Sequence, residues 1–257
     1  MAYTAPTWQN NAPPAINAAA MQAISDNLEY VSKYLNNENL IINGDFRPSV
    51  RVNQRGQTVY TGTAVGFDMW RGTNSSVRVT LTSTGLTVAS TDSSVQPFYR
   101  QKLENYDNLL GQTVTLSGIT GGGTLHTATS TLPELLPAAG IGYCNILNVF
   151  DLWADSTTGM YVRLKSSVGG TVAFRAVKLE LGDEQTLAHQ EDGNWILNDE
   201  GDYAAMLLRC QRYLQLYATE ALRPAKAADC RPVMRINPSQ TTVTIDGTTY
   251  YVNTAEM

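Results

Sequence analysis

Val172-Ala173-Phe174-Arg175-Ala176-Val177-Lys178-Leu179-Glu180-Leu181 reads as a β-strand, because apolar and polar side chains alternate along it. A period of two is what a strand with one buried face requires. The same period returns in Val77–Thr82, Thr113–Ser117 and Tyr161–Lys165. Turn-forming residues separate these runs: Asn43-Gly44-Asp45, Gly85, Gly121-Gly122-Gly123, Gly159 and Gly169-Gly170. No helical pattern interrupts Leu40 to Leu181, apart from an irregular segment expected at Leu132–Pro137. The runs therefore predict a mainly β chain, an antiparallel β-sandwich of about eight to ten strands in jelly-roll form.

On the N-terminal side the pattern is helical. From Pro14, Met21, Ile24, Leu28, Val31 and Leu35 recur at alternating spacings of 3 and 4, a heptad seam, with Asn17 one step earlier placed to set register. Such a helix packs either on its own domain or on copies of itself. Before it, residues 1–13 are rich in Pro, Ala and Asn around Trp8, either a free leader or a peptide ordered by docking. On the C-terminal side, Asp202–Leu214 predicts a helix with Met206, Cys210, Tyr213 and Tyr217 on one face, capped by Asp199 or Asp202. Asp246-Gly247 between alternating β-formers, Thr241–Val252, predicts a hairpin. The expected divisions are 1–13, an extended docking segment; 14–37, an oligomerising helix; 38–183, the sandwich; and 184–257, a helix-plus-hairpin region.

Composition narrows the function classes. Only 16% of the 257 residues are charged, against about 25% in an ordinary globular chain. Thr (29 residues), Ser, Asn, Gln and Gly fill the difference. The net charge of −5, with no basic run, argues against nucleic acid. No apolar stretch is long enough for a bilayer helix, and Met1–Asn11 does not read as a signal peptide. Cys144, Cys210 and Cys230, an odd and scattered set, predict reduced thiols and folding in a cytoplasm. A polar binding or structural module fits this composition better than an enzyme does.

Ordered motifs resemble those of tail-fibre and related appendage proteins of tailed bacteriophages and prophages. Trp8 with Pro13-Pro14-Ala15-Ile16-Asn17-Ala18 is similar to the leader of many such fibres. Asn39-Leu40-Ile41-Ile42-Asn43-Gly44-Asp45-Phe46, Asn53-Gln54-Arg55-Gly56 and Phe67-Asp68-Met69-Trp70 resemble the opening of their carbohydrate-binding-module-like jelly rolls. Val177–Gly182, Cys210-Gln211-Arg212-Tyr213 and Gly111–Ser117 resemble later parts of the same proteins. After Val233–Pro238 this chain ends sooner than such proteins commonly do.

The resemblance implies a non-enzymatic virion subunit, homotrimeric through the helix. It implies a surface location on a particle made in the bacterial cytoplasm. Trp8, Pro13 and Pro14 would dock on a tail, baseplate, collar or capsid protein, and the sandwich would face host-surface polysaccharide. A head fibre or adaptor without sugar affinity is the alternative within the virion, and a cellular carbohydrate-binding module or glycosidase is the alternative outside it.

For glycan contact the candidates are Tyr99, Tyr106, Tyr143 and Trp153, read as lying in or beside loops, since sugars stack on exposed aromatic rings. Trp70 and Phe67 read as core. The acidic residues Asp45, Asp68, Asp151, Asp155 and Glu180 supply no recognisable catalytic pair from sequence, so no catalytic residue is assigned. His126 and His189, the latter in an expected polar loop, lack partners at ligand spacing, so no transition-metal site is assigned. For Ca²⁺, which related jelly rolls often bind, Asp45 and Glu180 are the candidate ligands.

Overall fold

The strand that decided the reading lies in the middle of the larger of two sheets. A computed structural model describes residues 21–25, 28, 37–47, 58–63, 68–198, 203–245 and 247–255. Its first eleven strands are β1 (Val59–Thr61), β2 (Trp70–Gly72), β3 (Val77–Thr82), β4 (Gly85–Ser90), β5 (Phe98–Lys102), β6 (Thr113–Thr120), β7 (Leu125–Thr131), β8 (Ile141–Ile146), β9 (Phe150–Asp155), β10 (Gly159–Lys165) and β11 (Thr171–Leu181). One sheet has the order β1-β3-β4-β11-β6-β7 and the other β2-β5-β10-β9-β8. Every pairing is antiparallel. The fold is a mainly β antiparallel sandwich, as the alternation predicts, and Leu132–Pro137 carries no regular structure.

Val79, Val88, Leu116, Phe174 and Leu179 from the first sheet meet Trp70, Tyr99, Phe150, Leu152 and Val162 from the second. None is more than 1% exposed. Full burial of such side chains contributes about 1.5–3 kcal/mol each. Trp70 stacks on Tyr99 at 5.7 Å between ring centroids.

Strict alternation from Val172 would point Phe174, Ala176, Lys178 and Glu180 to the same side. A bulge prevents this. Phe174 pairs with Thr120 and Ala176 with the adjacent Ile119, so Arg175 is the extra residue. Beyond it Val177 and Leu179 enter the core. Ala176, with Ile119, instead packs against Leu187 and Ala188 on the outer side. That side is covered by a hairpin of β12 (Ala188–Glu191) and β13 (Asn194–Leu197), closed by Asp192 and Gly193 at φ 48° and 77°. These are the paired positive φ angles of a type I′ turn. Beneath the hairpin, Lys178 Nζ donates to Thr186 Oγ1 at 2.6 Å and lies 3.5 Å from Glu180. The Thr186 N–H donates to Glu180 Oε1 at 2.8 Å.

A helix, α1 (Tyr203–Gln211), follows, then β14 (Leu214–Tyr217), β15 (Ser239–Ile245) and β16 (Thr248–Thr254), in the sheet order β14-β16-β15. The expected hairpin is present, with Ile245 opposite Thr248 and Gly247 at φ 77°. The helix is shorter than predicted, because Leu214–Tyr217 pairs with Tyr251–Thr254 and becomes a strand. Tyr217 therefore leaves the helical face. Cys210 stays on it, and Tyr213, in the turn after the helix, joins it in a small core with Ile42, Met69 and Val252, against which Met206 packs. The proposed caps Asp199 and Asp202 lie outside the described residues.

Side-chain amides fasten the segment before β1 to the sandwich. Asn39 Nδ2 donates to the Val177 carbonyl at 3.1 Å, and its Oδ1 accepts from Ile41 N at 3.0 Å and Leu179 N at 3.2 Å. Gly44 lies so close to β11 that a Cβ there would come within 2.2 Å of Val177 O. The segment Asn39–Phe46 thus meets Val177 and Leu179 through Asn39, Asp68 through Asn43, and α1 through Met206 and Arg209.

Candidate functional site

Alternation along β5, β9 and β10 puts their apolar residues inward and leaves an unusual set outside. β5 turns Tyr99 into the core and Phe98, Arg100 and Lys102 outward. β10 turns Met160, Val162 and Leu164 inward and Tyr161, Arg163 and Lys165 outward. β9 contributes Asp151, Trp153 and Asp155. Antiparallel register then assembles two rows. The first runs Arg71, Arg100, Arg163, Asp151 across β2, β5, β10 and β9, each residue opposite the next. The second runs Lys102, Tyr161, Trp153, Gly142 across β5, β10, β9 and β8.

The guanidinium groups lie over the rings. Arg163 sits 4.0 Å from the Trp153 ring centroid and 4.7 Å from that of Phe98, and Arg100 sits 4.4 Å from that of Tyr161. Such contacts hold a cation in place over the ring. Asp151, 3% exposed, accepts from Arg163 Nε and a terminal nitrogen at 2.7 and 2.6 Å and from Lys165 Nζ at 2.9 Å. Asp155 accepts from the Thr157 and Thr158 N–H groups, the Thr158 hydroxyl and Trp153 Nε1. The Thr158 bonds hold its carboxyl below the usual carboxylate range. Burial lowers the Arg100 guanidinium, and Arg71 and Arg163 add to that effect. Five cationic side chains face two carboxylates on this sheet, in a chain whose net charge is −5. The face can donate hydrogen bonds to hydroxyl or anionic oxygens over a flat, aromatic floor.

Of the four aromatic candidates, only Trp153 belongs to this face. Tyr99 is a correction: it lies in β5, 1% exposed and stacked on Trp70, with no ring face open to a sugar. Tyr143 is in β8 and packs on the core from within, and Tyr106 also packs on the core, from the turn at Tyr106–Leu109. Trp153 itself is in a strand, not a loop, with Gly140 so close that a Cβ there would come within 2.0 Å of its Cζ2. Trp70 is core as expected; Phe67 lies outside the described residues. Taken one at a time along the sequence, Phe98, Tyr161, Arg71, Arg100 and Arg163 give no sign of a common face. The polar phase of Tyr161–Lys165, read beside Phe98–Lys102, carries the signal.

Trp8, Pro13, Pro14, Asn17, Val31 and Leu35 lie outside the described residues. Met21, Ile24 and Leu28 are helical and more than half exposed, at 55%, 54% and 66%. The two calcium candidates each face a cation: Asp45 is paired with Arg47, and the fully buried Glu180 with Lys178. Among the described residues no group of three His, Cys, Asp or Glu side chains is placed to hold a metal ion. His126 is in β7, and His189 is in β12 rather than a loop, its Nδ1 2.6 Å from Asn198 Oδ1.

A cleft of about 300 Å³ opens at the junction with α1, lined by Ile42, Gln101, Leu103, Glu104 and Arg209 among others. Three of its polar side chains are already engaged: Gln101 with Ile42, Glu104 with Arg235, Arg209 with the Asn39 carbonyl. The open five-stranded face is the better candidate. Among the described residues no helix is long and apolar enough to cross a membrane. Set against family models, curated proteins and solved structures, the chain matches none of them.

Proposed function

We propose that the chain is a non-enzymatic subunit of a tailed-phage appendage, attached to the particle through its N-terminus, whose sandwich binds host-surface glycan. The observation that carries the binding part is the outer face of the five-stranded sheet. There the guanidinium groups of Arg100 and Arg163 lie over the rings of Phe98, Trp153 and Tyr161 on adjacent strands. Sites built on strands hold their donors in fixed geometry, which suits recognition of a repeating saccharide. The tie to a phage particle rests on the ordered motifs and, for self-association, on the exposed seam residues Met21, Ile24 and Leu28. Covering such a seam with copies of itself would form a short coiled coil.

A glycan array probed with the full chain tests the reading, with light scattering on the same sample. The expected result is a bounded set of bound saccharides and a mass near three times 28.0 kDa. An empty array overturns glycan binding and leaves the adaptor alternative. A mass of one chain overturns the trimer.

A further inference from the structure

Three arginines stand abreast on adjacent strands of the candidate face. Arg71 is directly opposite Arg100, and Arg100 directly opposite Arg163. Like charges placed opposite one another across a sheet destabilise it. Arg163 is neutralised by its two bonds to Asp151. Arg71 and Arg100 have no such partner: neither makes a side-chain hydrogen bond or ion pair among the described residues, and Arg100 Nε is a buried donor left unsatisfied. Asp155, the other carboxylate on the face, is already taken by Thr157, Thr158 and Trp153. The row holds two cations, Arg71 and Arg100, with no carboxylate of their own.

We infer that Arg71 and Arg100 bind an anionic group, a carboxylate or phosphate, carried on the saccharide that the face recognises. This deepens the glycan reading and rests on it. The planar guanidinium fork matches two oxygens of such a group at once. The Tyr161 ring fixes Arg100 in position before the ligand arrives, which lowers the ordering cost of binding. The saccharide class follows from the proposed function, and a net charge of −5 with no basic run argues against nucleic acid.

Affinity electrophoresis of the full chain in native gels containing polygalacturonate, dextran or single-stranded DNA tests this. Polygalacturonate retards the chain, dextran and DNA do not, and added salt weakens the effect. Arg71→Gln and Arg100→Gln each reduce the retardation about tenfold, the loss of a charge-assisted contact. Their urea midpoints stay at or above that of the parent chain, since an unanswered charge has been removed. Inorganic phosphate raises the thermal midpoint of the parent chain more than that of either variant at equal ionic strength, a comparison in which its general salting effect cancels.

Equal retardation by dextran and polygalacturonate overturns the anionic assignment and leaves the glycan reading in place. Retardation that survives both substitutions overturns the assignment to these arginines. Equal retardation by DNA overturns the saccharide class. If neither polygalacturonate nor phosphate has any effect, the anion site is overturned, and the glycan array alone decides the broader reading.

Discussion

Gln101 pairs with Ile42 as a neighbouring strand would: its amide nitrogen donates to the Ile42 carbonyl at 2.8 Å and its amide oxygen accepts from the Ile42 N–H at 2.7 Å. Both residues are buried, at 1% and 6% exposure. Gln101→Ala leaves two backbone groups inside with no partner from that side chain, a loss of about 2–4 kcal/mol. Gln101→Glu loses the donor and sets a carboxylate against a carbonyl, with a larger loss. Urea unfolding followed by tryptophan fluorescence reads both, and unchanged midpoints would show that the pair does not hold the segment.

Two glycines of the same type in the sequence separate sharply in the fold. Gly44→Ala puts a methyl 2.2 Å from the Val177 carbonyl oxygen, so β11 or the loop must move, at a cost of about 1–3 kcal/mol or more. Gly122→Ala meets nothing within 4 Å and stays within about 0.5 kcal/mol of the parent. Paired urea titrations measure the difference; equal midpoints would refute the close approach.

Asp151 is the shared ion-pair partner of Arg163 and Lys165 at a nearly closed position. Asp151→Asn strands two cations there and lowers stability by about 3 kcal/mol. Adding Arg163→Gln restores part of the loss by removing one of the two. A double-mutant cycle in urea is the measurement, and additive losses would mean that the pair is not coupled.

Alkaline pH weakens the fold. Burial pushes the Cys144 and Cys210 thiols above their ordinary 9.0 and the Tyr217 phenol from 10.0 to about 12. The unfolded chain releases these protons first, so stability is full below about pH 9 and falls as pH rises through the unfolded values. Lys178 acts in the opposite sense, because burial lowers its ammonium from 10.5 and the unfolded chain holds that proton longer. Three groups outweigh one, and the urea midpoint at pH 10.5 falls below that at pH 8. A flat or rising midpoint would contradict the burial of these groups.

The sandwich was legible because most strands show one apolar phase, as Val77–Thr82 does. The bulge at Arg175 was legible in principle: apolar residues occupy 172 and 174, then 177 and 179, a change of phase that a strand cannot make without an extra residue. β14 was not legible, since Leu214–Tyr217 continues a helical stripe and becomes a strand only by pairing with β16. The candidate face was not legible for a related reason. Arg71, Arg100 and Arg163 are far apart in the chain, and only register brings them abreast.

Asn39 has a mechanical consequence. Tension applied along the chain from the N-terminal helix reaches the sandwich through the amide bonds of Asn39 to Val177 and Leu179, together with the Leu40–Leu179 and Gly44–Val177 backbone bonds. These bonds converge on β11, which is braced by β4 on one side and β6 on the other. An attachment of this kind hands its load to the interior of the sheet and not to an edge strand.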